Sequence, residues 1–454
     1  MLQDKYKNAV LLFAAFIILV LSFQFNFFGA ATKSFFEGHQ RDSESLVLGR
    51  IIETKNNGFL SNGGFLGRYA SDDPVGFQYE AYVNDLVPES TFGGYRQSFG
   101  LQGYFYAVLD SGFSIFGVDS GSKRLFLSKL VTSSLLALLL VLFIYFVNQN
   151  FGIFTAFLTT ALLATSQWLV VFSNNLYWMF FLIILPFIVV NSFLQFKSQG
   201  IFPSLEKRFY ILYLLVFLAV FIKSLAGYEY ISTILISTVV PLVFFAINDG
   251  WKLKTFFTRF VLVGLSGLAG FFTAIFVHLL QLANTLGSFS KGLEHLWYTV
   301  AKRTHGDPNT VDEVYRRSLE SNVFDVILKY WNGRAFNLDS LLGYGGFLNF
   351  SSIIIFIIIL TIIITSLSFL IKSMHTDRNK NLAMIAALWF SISAPLSWHL
   401  LAKGHSFIHG HMNHVLWYIP FLLIGFAYIG YGLCLLFKNF KFFSLPIILK
   451  IVSQ

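Results

Sequence analysis

Three stretches of this chain, 9–28, 209–222 and 353–371, contain no charged residue and consist largely of apolar side chains. A helix needs roughly 17–25 such residues to cross a hydrocarbon layer. In that medium each backbone polar group must be satisfied within the element, so the runs point to membrane-spanning helices. The expected class is an all-α polytopic membrane protein. Composition agrees, since of 454 residues 56% are hydrophobic and only 12% charged. A soluble domain carries about 25% charged residues. A soluble enzyme, a fibrous protein and a disordered chain are excluded. The single cysteine, Cys434, allows no internal disulfide, and no G-x-x-x-x-G-K-[ST] phosphate loop occurs.

Hydrophobic runs predict ten spans, at 9–29, 126–147, 152–172, 176–195, 209–224, 231–248, 260–286, 347–371, 382–402 and 415–437. The third and fourth read as a hairpin hinged at Ser173-Asn174-Asn175. The first run is longer than the roughly 7–15 apolar residues of a signal peptide, so it is read as an uncleaved span. With the N-terminus in the cytoplasm, the cytoplasmic segments collect Lys5, Lys7, Lys197, Lys207, Arg208, Lys252, Lys254, Arg259, Lys372, Arg378, Lys380, Lys438, Lys441 and Lys450. Only Asp4, Glu206, Asp249 and Asp377 oppose them. That is the asymmetry the positive-inside rule requires. The net charge of +9 is then a consequence of topology, and no nucleic-acid partner is needed to explain it.

Two large segments, 30–125 and 288–346, fall outside, together with a short histidine-dense one at 403–414. Polar groups concentrated on one side of a bundle mark where function is expected. In the first segment Val47, Leu48, Ile51 and Ile52 share one helical face, which predicts a short amphipathic helix lying at the membrane surface. Glu44 sits on that face and Asp42 points elsewhere. Asp42 reads as a helix cap, or either carboxylate reads as a general base restrained by Arg41 or Arg50. Asp72-Asp73-Pro74 reads as a turn, and 104–116 as a further helix.

The layout, with the phrases Ser173-Asn174-Asn175-Leu176-Tyr177-Trp178, Lys223-Ser224-Leu225-Ala226-Gly227-Tyr228-Glu229-Tyr230 and the stretch 403–420, resembles integral-membrane glycosyltransferases of the GT-C fold. Within that group it looks like the bacterial and phage-borne enzymes that modify O-antigen. The resemblance implies an inverting hexosyltransferase of the bacterial inner membrane, with both termini cytoplasmic and its active site facing the periplasm. It would move a sugar such as glucose from a polyprenyl-phosphate donor to a surface glycan of the lipopolysaccharide. By position its catalytic carboxylate maps onto Asp42 or Glu44, and Glu44 is favoured because its face turns toward the membrane.

Further candidates for the donor phosphate or substrate are Arg41, Lys223, Glu229, Arg303, His305, Lys403, His405, His409 and His411. Lys223 and Glu229 alternatively pair with each other, since ionisable groups in lipid seek partners. His399, His405, His409, His411 and His414 supply half of the ten histidines. No cysteine or nearby carboxylate accompanies them, so no metal ligand set and no cofactor is assigned, although a divalent metal stays open. Trp417 reads as an interface anchor, and Trp297 and Trp331 as candidate platforms for sugar faces. Two other functions compete: a polysaccharide polymerase or ligase with a lipid-linked substrate, and a transporter that uses the histidine segment.

Overall fold

A computed structural model describes residues 2–201, 208–370 and 378–440. Glu206, Lys207, Lys372, Asp377, Lys441 and Lys450 lie outside the described residues. Helix α1 (Leu2–Phe25) leads into short helices α2 (Lys33–Gly38), α3 (Arg41–Asn57), α4 (Pro74–Val83) and α5 (Leu101–Ile115). Among them lies an antiparallel ribbon of β1 (Leu66–Tyr69) and β2 (Phe92–Tyr95), with Leu66 opposite Tyr95. The bundle continues with α6 (Gly121–Phe151), α7 (Ile153–Ala164), α8 (Gln167–Ser173), α9 (Phe180–Ser198), α10 (Phe209–Ala226), α11 (Ile231–Asn248) and α12 (Leu253–Leu286). Helices α13 (Phe289–Ala301), α14 (Glu313–Glu320) and α15 (Val323–Trp331) follow. A second ribbon, β3 (Arg334–Asn337) with β4 (Phe347–Asn349), brackets α16 (Leu338–Leu342). The chain returns through α17 (Phe350–Leu370), α18 (Arg378–Ser391), α19 (Ser393–Leu401), α20 (Lys403–Ile408) and α21 (Phe421–Phe440).

Eight of these stretches, among the described residues, are long and apolar enough to span a membrane. They are α1, α6, α9, α10, α11, α12, α17 and the joined α18–α19. The expected third span is instead the pair α7–α8, bent by 67° and counted as a ninth if taken as one element. Its break has a local cause. Thr165 Oγ1 donates to the Ala161 carbonyl at 2.8 Å and Ser166 Oγ to that of Leu162 at 2.6 Å, competing with the helical ladder. The expected tenth span begins late, because residues 413–418 form a 3₁₀ turn and α21 starts only at Phe421. Trp417 is no interface anchor: it is buried, and its indole donates to the Tyr330 carbonyl at 3.1 Å.

Gln102 donates to the Tyr177 and Ala226 carbonyls, Gln281 to the Gly63 carbonyl and Ser397 to Ser232, which sets those helix ends beside the segment 26–120. Lys197, Arg208, Lys252, Lys254, Arg259, Arg378 and Lys380 fall at the other ends of the same helices. The end that carries that segment is called the loop end below. There α3 departs most from expectation. Its apolar face is not open to a membrane surface; it is packed among α4, α5 and β1, and most residues from Glu44 to Thr54 are buried. Glycines permit this approach. A Cβ on Gly49 would lie 2.2 Å from the Gly67 carbonyl oxygen, and one on Gly103 2.5 Å from Arg50 Cγ. Buried Arg50 ties the turn after α3 by donating to the carbonyls of Ser61 (2.6 Å), Gly58 (3.1 Å) and Phe59 (2.6 Å). Asp73 caps α4 by accepting the Gly76 amide at 2.9 Å, as the Asp-Asp-Pro turn predicted.

Helix α13 folds back on α12, where a Cβ on Gly292 would lie 3.1 Å from Leu279 Cδ1 and 3.4 Å from Leu282 Cβ. Its other face exposes Phe289, Leu293, Trp297 and Val300 in one stripe. Phe272, Phe276 and Leu280 of α12, a helix of membrane-spanning length and hydropathy, are exposed as well. Trp297, 73% exposed, is therefore expected at the edge of the lipid. Its fluorescence, read against a Trp297→Phe variant in vesicles, is expected to be quenched by brominated acyl chains. Quenching only by a water-soluble agent such as iodide would place α13 in solvent.

Candidate active site at the loop end

Glu44 is 1% exposed, and both carboxylate oxygens are occupied. Oε1 accepts the Leu176 backbone amide at 3.0 Å, and Oε2 accepts the Tyr79 hydroxyl at 2.5 Å and the Lys129 ammonium at 2.8 Å. One side chain thus joins α3 to α4, α6 and the connection between α8 and α9. That connection, expected as a simple hinge, is a buried strap, with Leu176, Tyr177, Trp178 and Met179 all enclosed. Asn175 folds it by accepting the amides of Tyr177 (3.0 Å) and Trp178 (3.2 Å) on Oδ1. Glu44 faces this protein interior and not the membrane.

Asp42 has the opposite character. It does not cap α3; the cap position is Gln40, and Asp42 is the second residue of the first turn, with its side chain exposed. Its backbone carbonyl accepts from Ser45 Oγ at 2.6 Å and from Arg68 Nη2. The charge of its carboxylate opposes, in part, the lowering that burial imposes on His409 and His411. Arg41 lies over the Tyr79 ring at 4.3 Å.

The histidine segment, the connection after α10 and the end of α13 meet at this place. Glu229 stands 3.7 Å from the Arg303 guanidinium, which also donates to the Tyr95 hydroxyl at 3.4 Å. The Arg303 carbonyl accepts the His405 amide at 3.0 Å. His405 is buried, its ring 4.5 Å from that of His409, and the His409 and His411 rings are 5.7 Å apart. His409 feels His411, Arg303, Glu229 and Asp42 together. Four separate parts of the chain therefore bring the exposed Asp42 carboxylate, the buried Glu229 carboxylate, one guanidinium and three imidazoles into one locality.

Three candidates are otherwise engaged. Lys223 does not pair with the Glu229 carboxylate; its ammonium donates to the carbonyls of Gly227 (2.7 Å) and Glu229 (2.5 Å), closing the turn after α10. Lys403 donates to the Leu319 carbonyl at 2.5 Å, and His305 Nε2 meets the Leu400 carbonyl at 2.8 Å. Both act as ties between α13–α14 and α19–α20. Trp297 and the partly buried Trp331 have no shown part in the cluster.

Sequence reading missed Gln40, His39, Arg68, Tyr95 and Lys329. Gln40 holds a left-handed backbone, φ 56°, beside the carboxylates. Its Oε1 accepts the Trp178 indole at 3.2 Å and the Ser43 hydroxyl at 2.9 Å, which pins α3 to the buried strap. Backbone strain of this kind costs about 1–3 kcal/mol and is kept where surroundings enforce it. His39 and His414 flank Trp168, with ring centroids 6.0 and 4.8 Å away. No group of three or more His, Cys, Asp or Glu suited to a metal ion occurs among the described residues.

Burial, reinforced by neighbouring cations, lowers the imidazoles. His39 falls to about 3 through burial and His411. His409 falls to about 4 through burial, His411 and Arg303, against the pull of Glu229 and Asp42. His414 falls to about 4 through burial and Lys329. Their native forms thus bind fewer protons than the unfolded chain below the ordinary histidine value of 6.5. The stability they contribute is complete above that pH and is lost as pH falls toward 4. The melting temperature in detergent is expected to be flat from pH 8 to 7 and to fall steadily below 6.5, less steeply in His409→Gln. A fall with the same slope in that variant would assign the effect elsewhere.

No family model matches the chain, and no curated protein or solved structure matches it either. The fold and the cluster are therefore read on their own chemistry.

Proposed function

We propose that this chain is an inverting membrane glycosyltransferase that takes a hexose from a polyprenyl-phosphate donor and passes it to a surface glycan. The observation that carries this reading is an exposed carboxylate, Asp42, within electrostatic reach of His409 and His411, whose segment packs on Arg303 at one end of an apolar bundle. A lipid-linked donor needs both features: hydrocarbon for its tail and cationic or hydrogen-bonding groups for its phosphate.

In this scheme Asp42 takes the proton of an acceptor hydroxyl as that oxygen attacks the anomeric carbon. The bond from that carbon to the phosphate oxygen breaks on the opposite side. Its electron pair leaves with the polyprenyl phosphate, whose charge meets the Arg303 guanidinium and ring N–H donors of His409 and His411. One displacement inverts the configuration and requires no covalent intermediate. Glu229 holds Arg303, and Glu44 and Gln40 fix the helix that carries the base. The basic residues at the far end support a cytoplasmic assignment for that end, and with it an outward-facing loop end in this scheme.

The test is mass spectrometry of the surface glycan from bacteria expressing the full chain, with and without a polyprenyl-phosphate hexose synthase. An added hexose that depends on both proteins supports the reading. A glycan of unchanged mass, with the chain present in the membrane, overturns it. A change in chain length without added hexose would favour the polymerase.

A further inference from the structure

Beside the cluster lies an open groove of about 500 Å³, bounded by the β1–β2 ribbon and the start of α4. Arg68, Ser71, Thr91, Gly93, Gly94 and Tyr95 contribute to its walls. Its volume is within the roughly 300–1,000 Å³ of ligand sites. Two walls lead directly into the cluster. Arg68 holds the Asp42 carbonyl through Nη2 and Ser45 Oγ through Nε (2.7 Å), and the Tyr95 hydroxyl meets Arg303 at 3.4 Å. Arg68 Nη1 has no hydrogen-bond partner among the described residues.

We propose that this groove binds the saccharide chain that accepts the transferred sugar, a proposal that rests on the transferase reading above. The wall chemistry suits a polyhydroxylated chain. The half-buried Tyr95 ring offers a flat face to sugar C–H groups, while hydroxyls, the Arg68 Nη1 amine and strand backbone offer hydrogen bonds. A chain lying there has its reacting unit beside Asp42, and the donor phosphate approaches from the Arg303 and histidine side.

The two glycines of β2 give a clean way to fill the groove. Neither has a positive φ. A Cβ on Gly93 comes no closer than 3.6 Å to the Arg68 carbonyl oxygen, and one on Gly94 no closer than 3.7 Å to Phe65 Cβ. Both positions therefore accept a side chain without strain, whereas Gly67 opposite them does not: its Cβ would lie 2.3 Å from the Gly93 carbonyl oxygen. Successive strand residues face opposite ways, so Gly93→Leu and Gly94→Leu load the two faces of the ribbon separately.

The experiment uses membranes carrying the full chain, labelled polyprenyl-phosphate glucose as donor, and polysaccharide released from host lipopolysaccharide by mild acid as acceptor. At least one leucine variant is expected to raise the acceptor KM about tenfold, with donor KM and melting temperature unchanged, the signature of lost acceptor binding. An unchanged acceptor KM in both variants, or a rise in donor KM in step with it, overturns the groove while leaving the transferase intact. Absence of transfer by the wild-type chain instead overturns the transferase reading, and the groove proposal with it.

Discussion

Asp42→Asn is expected to reduce glycosyl transfer by about 10²–10⁴-fold, the range contributed by a positioned general base, without lowering the melting temperature. The stability half of that expectation follows from exposure. The Asp42 side chain makes no ion pair within 4.0 Å among the described residues, and the contacts that anchor this turn run through its backbone carbonyl. Asparagine keeps that carbonyl and the shape of the side chain. The activity half follows from proton transfer, because an amide cannot take the proton of an attacking hydroxyl. The rate constant with saturating donor and acceptor is the quantity to measure, since KM for either substrate is expected to stay within a few-fold. A variant that folds and transfers at the wild-type rate would remove Asp42 as base and direct attention to the histidines.

The membrane-spanning class was legible because it depends on summed properties of long runs, and summed properties survive small errors in boundary. Where the reading failed, a nonlocal partner decided the outcome. Residues 44–52 show an apolar helical face that is equally at home on a lipid surface or in a protein interior. Gly49 and Gly67 settle the choice by letting a strand cross α3 at close range, and their pairing is invisible until the chain is folded. Trp417 illustrates the same point, since an aromatic at an expected span end served interior packing once the helix began only at Phe421, after Pro420. The convergence of Arg303 with Glu229 and His409 joins segments more than seventy residues apart in sequence. The residue types could be nominated from their chemistry, but which of them would meet could not. Lys223, Lys403 and His305 looked equivalent to Arg303 in sequence; backbone carbonyls nearby had taken their donors.

Glu44→Gln separates the two acidic residues most sharply, because the expected loss lies in stability. Removing one member of a buried ion pair costs about 3–5 kcal/mol, most of it the penalty of leaving the other charge without a counterpart. Here the stranded group is the Lys129 ammonium, with its side chain only 26% exposed. Glutamine can still accept the Leu176 amide on one oxygen. Its amide nitrogen, however, would then face Lys129 where a carboxylate oxygen accepted at 2.8 Å. The value expected is about 3 kcal/mol, at the lower end of that range because Lys129 reaches solvent in part. Denaturant titration of the solubilised protein reads the loss directly. A Lys129→Met change alone leaves the carboxylate with its two other donors. Combined with Glu44→Gln it removes the stranded ammonium, so the double variant is expected to be more stable than the sum of the single losses predicts. Strict additivity would mean that the pair is not coupled. Full stability of Glu44→Gln together with lost transfer would return the role of base to Glu44, and Asp42 would then be the accessory group.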